Sequence, residues 1–136
     1  MSSGLWEEDP GANRHFTLYA ATSGTSGTLN LNSDIFYATV NKFIIPKGMT
    51  LKVWSRLVSG PSVTVNFQYA VSASGTPSWQ TLVADVLSAT GEVDAEKRRP
   101  HVFRSGSGSE GIQITFTGAN NSTASNLAFD CELTQD

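Results

Sequence analysis

A chain of 136 residues is long enough to bury one hydrophobic core without disulfides or metals, and short enough that one domain is expected. Its formal charge of -3 and pI near 5.3 exclude a general attraction to nucleic-acid phosphates or anionic lipid. A single cysteine excludes an internal disulfide and a multi-thiolate metal site, and no apolar run approaches the ~20 residues of a membrane-spanning helix.

Charged residues make up only 15% of the chain, and Ser, Thr, Asn and Gly take their place. That composition suits short strands joined by polar turns. Residues 1–14 hold Gly4, Pro10, Gly11 and the acidic Glu7-Glu8-Asp9, with neither helical nor strand periodicity. They are predicted to form an extended N-terminal arm ahead of a sandwich domain at 15–136. Within the arm, Leu5 and Trp6 are the large apolar pair, to be buried either on a partner or back on their own domain. The N-terminus lacks the basic start and apolar stretch of a secretory signal, so synthesis in the cytoplasm is expected.

From His15 onward the apolar residues alternate. Phe16, Leu18 and Ala20 share one face, and Ser23-Gly24-Thr25-Ser26-Gly27 is predicted to turn them into a hairpin with 28–31. The apolar run at 35–45 stops at the turn Pro46-Lys47-Gly48. Leu51, Val53, Ser55 and Leu57 then oppose Lys52, Trp54, Arg56 and Val58, and after Gly60-Pro61 comes the clearest strand, with Val63, Val65, Phe67, Tyr69 and Val71 on one face. Ser74-Gly75-Thr76-Pro77 turns the chain into 79–87, where 83–87 is the one stretch that could tolerate a short helix. Arg99-Pro100 fixes an extended approach to Val102-Phe103. Ile112, Ile114 and Phe116 make the next strand, and Leu127, Phe129, Cys131 and Leu133 the last. Eight or nine strands at such spacing predict an all-β, two-sheet antiparallel sandwich. A jelly roll of about eight strands is favoured, with an immunoglobulin-like Greek key as its rival. No repeat of solenoid or propeller length is present.

Candidate chemistry is sparse. Gly106-Ser-Gly-Ser-Glu-Gly111 matches the spacing of a dinucleotide fingerprint, but the residues after it alternate as a strand where that motif requires a helix. His15 and His101 have no acid in a recognised motif beside them, and neither catalytic residues nor cofactors are expected. Glu92, Asp94 and Glu96 would line one face of an extended segment, as a solvated acidic edge or a Ca²⁺ site, the edge being favoured. The only basic cluster follows directly in Lys97, Arg98, Arg99, His101 and Arg104, either a solvated loop or a contact with opposite charge on a neighbouring subunit. Cys131 falls on the apolar phase of its strand and reads as a small buried hydrophobe, while Asn120 and Asn121 read as polar turn residues.

The strand, Gly/Pro turn and Trp of Tyr69 to Leu82 resemble a hairpin common in carbohydrate-binding and viral surface modules. With the strand count, the arm and the Ser/Thr/Gly-rich loops, the whole chain resembles the small jelly-roll decoration, head and tail proteins of tailed phages and archaeal viruses. The resemblance implies a non-enzymatic virion component that needs only surfaces. Its partners would be its own copies, with a trimer favoured, and a major capsid or other virion protein; neither nucleic acid nor membrane is implied. Partner contacts are expected at Leu5, Trp6, Lys97, Arg98, Arg99 and Arg104. The alternative is a carbohydrate-binding module using Trp54 and Trp79 as a platform. A cupin-like enzyme would need a cluster of His and carboxylate ligands that two separated histidines do not supply.

Overall fold

Alternating Val, Ile, Phe and Thr place one face of each strand in an apolar interior and the other toward water, and two such sheets bury their faces against each other. The computed structural model describes residues 14–33, 38–87 and 99–135. Eleven strands lie among them: β1 (Arg14–Ala21), β2 (Gly27–Thr28), β3 (Leu31–Ser33), β4 (Ala38–Val40), β5 (Phe43–Ile44), β6 (Met49–Ser59), β7 (Val63–Ala70), β8 (Gln80–Leu87), β9 (His101–Ser105), β10 (Gly111–Thr117) and β11 (Asn126–Gln135). None of the described residues forms a helix long and apolar enough to cross a membrane.

The protein is all-β, and its strands form two antiparallel sheets. One runs β4-β3-β1-β11-β6-β9; the other runs β2-β10-β7-β8, with β5 also paired to β10. In β7 the alternation is nearly complete: Val63, Val65 and Phe67 are buried, and Thr64, Asn66 and Gln68 are half-buried on the outer face. Phe67 sits at the centre of the core, with ring centroids 5.9 Å from Phe129 and 6.0 Å from Phe103, one partner from the facing sheet's middle and one from its edge. β11 occupies an interior position, paired along its length with β1 on one side and β6 on the other.

Several local expectations are corrected. The turn does not join β1 directly to 28–31 as a two-stranded hairpin. β1 pairs with β11 and β3, while β2 crosses to the other sheet and pairs with β10. The turn residues mark where the chain reverses, but the partner is chosen by burial over long range. The run at 35–45 contributes to both sheets, through β4 and β5. The stretch 83–87 is strand throughout, because β8 pairs with β7 from Leu87↔Val63 to Gln80↔Tyr69, with one bulge at Phe67/Gln68. The strand number exceeds eight or nine because β2 and β5 are only two residues long.

Candidate functional site

Two surfaces are built by this arrangement. The first is the outer face of the six-stranded sheet, where register sets side chains in rows across β1, β11 and β6. His15, Glu132 and Lys52 make one row; Thr17, Asp130 and Trp54 the next; Tyr19, Ala128 and Arg56 the third. Adjacent rows lie about 7 Å apart along the strands and neighbours within a row about 5 Å apart. Asp130 accepts two hydrogen bonds from Arg56, from Nε at 3.0 Å and Nη2 at 3.1 Å, and one from Thr17 Oγ1 at 3.0 Å. The Arg56 hydrogen bonds hold the Asp130 carboxyl below its ordinary range, with Thr17 assisting against partial burial, and they raise the guanidinium in turn. Glu132 lies 3.5 Å from His15 Nε2 and 3.8 Å from Lys52 Nζ.

Ala128 is fully buried although it points outward and lies outside the inter-sheet core. Its neighbours Tyr19 on β1 and Arg56 on β6 flank it, and the Arg56–Asp130 pair reaches across from β6 to β11. Tyr19, 48% exposed, stands on β1, and half-buried Trp54 on β6. Beside Tyr19 is a cleft of about 310 Å³ lined by Tyr19, Asn32, Val58 and Asn126 among others.

The second surface is the side of the sandwich where edge strands β8 and β9 meet. Asp85 on β8 and His101 on β9 are joined across the sheets, Oδ2 to Nε2 at 2.8 Å, and the imidazole packs on Phe67 with centroids 4.9 Å apart. Neither histidine is therefore isolated from carboxylates: each meets one from another strand, Glu132 for His15 and Asp85 for His101. Close by, Tyr69 Oη donates to the Arg104 carbonyl at 3.2 Å and its ring stacks on Phe103. Tyr69, Leu82, Val102, Phe103 and Arg104 line an open groove of about 550 Å³. Leu82, Val86 and Val102 are 59%, 63% and 47% exposed on these two strands, which have no further strand partner among the described residues.

The glycine-rich loop before β10 is ordered by Glu110. Its Oε1 accepts from Ser105 Oγ at 2.8 Å, Ser107 Oγ at 2.7 Å and Ser107 N at 3.2 Å. These hydrogen bonds, those from the Ser107 and Ser105 hydroxyls foremost, hold its carboxyl down at about 2. A strand follows, so no helix N-terminus is present for a phosphate.

Of the residues singled out in the sequence, Leu5, Trp6, Glu92, Asp94, Glu96, Lys97 and Arg98 lie outside the described residues. Arg99 is exposed, and Arg104 is exposed at the β8–β9 groove. Trp54 and Trp79 do not form one platform. Trp54 is on the face above β11, whereas Trp79 immediately precedes β8 of the other sheet. Tyr19 was not singled out in the sequence, although it is an aromatic on the polar phase of the Phe16-Leu18-Ala20 alternation. Cys131 is buried, and burial pushes its thiol well above the ordinary range, as expected of a packing residue. Asn120 is a turn residue whose Oδ1 accepts from Ser122 N and Thr123 N. No group of three metal-ligating side chains occurs among the described residues.

No family model and no curated protein matches the chain. Among solved structures it is similar to a chain of Bacillus endospore appendages, a family of disulfide-linked pili, with a TM-score of 0.48 and 11% identity over 92% of this chain and 88% of that one. It is also similar to murine APRIL, with a TM-score of 0.43 and 13% identity over 86% and 98% of the two chains. A third similar structure is PirA, with a TM-score of 0.38 and 10% identity over 88% and 93%.

Proposed function

We propose that this protein is a non-enzymatic assembly module, a decoration protein or minor capsid or tail component of a virion, whose copies join through the β8–β9 side of the sandwich. The observation that carries the reading is the exposure of Leu82, Val86 and Val102 on two edge strands that lie side by side. Exposed apolar residues on a bare sheet edge invite pairing with another chain, and a contact that covers them removes that liability. A second copy suits the surface by charge. Arg99 and Arg104 are exposed at β9 and its approach, and the sequence joining β8 to β9 holds Glu92, Asp94 and Glu96 followed by Lys97 and Arg98. A segment with both signs complements a rotated copy of itself, so a closed cyclic oligomer follows, a trimer being favoured. The strand order supports the jelly-roll form: with β3, β4 and β5 taken as insertions, β1-β11-β6-β9 faces β2-β10-β7-β8, two interleaved Greek keys.

Light scattering with size-exclusion chromatography tests the proposal. The wild-type chain should form one defined closed oligomer, and Leu82→Asp with Val102→Asp should give a folded monomer. A wild-type monomer at high concentration, or an oligomer indifferent to both substitutions, overturns it. Attachment to the virion lattice is expected to require the arm, so deleting residues 1–13 should abolish attachment without unfolding the sandwich.

A further inference from the structure

The groove lined by Tyr69, Leu82, Val102, Phe103 and Arg104 lies at one end of the β8–β9 side. Asp85 and His101 meet toward the other end, where β8 stops and β9 starts. We propose that the chain's own N-terminal arm seats Leu5 and Trp6 in this groove, where it competes with a second copy. The seating is independent of oligomerisation, and the competition rests on the assembly reading.

Reach selects the occupant. Arg14, the first residue of β1, pairs with Leu133, which pairs with Leu51, which pairs with Phe103. One row of the six-stranded sheet therefore runs from the root of the arm to the wall of the groove, across three strand spacings or ~14 Å. The chain from Trp6 to Arg14 spans up to ~26–29 Å when extended, about twice that distance. A tether so short holds its end at an effective concentration on the order of millimolar, so a copy's own groove fills before a neighbour's.

Chemistry agrees with reach. The Tyr69 ring stacks on Phe103, and Leu82 and Val102 stand exposed beside them. Such a surface suits the indole and isobutyl groups of the arm's large apolar pair, and covering it removes apolar area from water on both sides. Glu7, Glu8 and Asp9 lie between Trp6 and the root of the arm. Exposed Arg104 lines the groove, and the Gly48 N–H, donating to the Ser105 carbonyl at 2.8 Å, brings exposed Lys47 beside the end of β9. Neither cation has an ion pair among the described residues. The nearby Glu110 carboxylate is already held by Ser105 and Ser107. The sequence joining β8 to β9 is the poorer occupant, because Val93 is its one large apolar residue and it is rooted at the far end of the groove. A second copy that covers Leu82 and Val102 must displace the arm, and a lattice that takes the arm frees the groove. One segment thus couples attachment to oligomerisation.

A nitroxide on Gln80→Cys tests the seating in the full chain, because Gln80 is exposed and is the register partner of Tyr69, while Cys131 is buried from the label. The readout is the indole N–H resonance of Trp6 in an isotope-labelled sample kept below the concentration of assembly, with the adjacent Trp79 as internal control. The Trp6 signal should broaden, Leu82→Asp with Val102→Asp should restore it, and Arg104→Glu should weaken the broadening. Mixing nitroxide-bearing chains that lack the isotope with isotope-labelled chains that lack the nitroxide should leave Trp6 sharp. Broadening in that mixture puts the arm on another copy and overturns the proposal, as does a sharp Trp6 in both samples. By light scattering, deleting residues 1–13 should lower the concentration at which the oligomer forms about tenfold. An unchanged or higher threshold overturns the competition. If neither chain forms an oligomer, the assembly reading fails while the nitroxide result still decides the seating.

Discussion

At the residue scale, the loop before β10 shows how one carboxylate organises a segment that composition alone presents as featureless. Ser105 and Ser107 donate to Glu110, and its folded pKa of about 2 lies below the ordinary 4.5. A depressed carboxyl stabilises the fold above its unfolded pKa and loses that contribution as pH falls through the folded value. The stability gap between wild type and Glu110→Gln should therefore be widest near neutral pH and close as pH drops from 4.5 toward 2, which urea titrations at stepped pH will read. Gly60 is constrained differently. It holds φ at +102°, and a Cβ there would lie 2.5 Å from the Ala124 carbonyl oxygen. Gly60→Ala should cost about 1–3 kcal/mol by thermal or chemical denaturation, through strain and the shift forced on the facing backbone.

At the element scale, what the sequence revealed and what it hid divide along the range of the interaction. β7, β10 and β11 were readable from period-2 alternation, because one face of each is in the core and the other in water. The partners were not. His101 meets Asp85 from a strand 16 residues away and Thr17 meets Asp130 across 113, and no local pattern encodes either approach. The outer face of the six-stranded sheet was half visible: Trp54 was found by type, but Tyr19 shares its face only once β11 lies between their strands. The β8–β9 join is testable by itself. Its Asp85–His101 bond is mostly shielded, with side chains 16% and 21% exposed. His101→Ala leaves Asp85 without that partner, and a loss of about 1–3 kcal/mol is expected in equilibrium unfolding. Phe67→Ala, which empties the centre of the same region, should cost about 3–5 kcal/mol.

At the scale of the whole molecule, the proposed contact along β8 and β9 would reach the outer face of the six-stranded sheet, because Val102 is the register partner of Lys52 on β6.

The interior place of β11 also governs how the chain comes together in time. Its neighbours β1 and β6 are made long before it, and until it exists they have no strand between them and the six-stranded sheet stays divided. During synthesis the early strands must wait with their apolar faces exposed, and closure joins segments more than a hundred residues apart. Refolding from denaturant should accordingly be slow for a chain of this size, on the order of milliseconds to seconds in stopped-flow fluorescence. A ribosome-stalled chain ending before Asn126 should be protease-sensitive throughout, a single late strand acting as the latch for everything translated ahead of it.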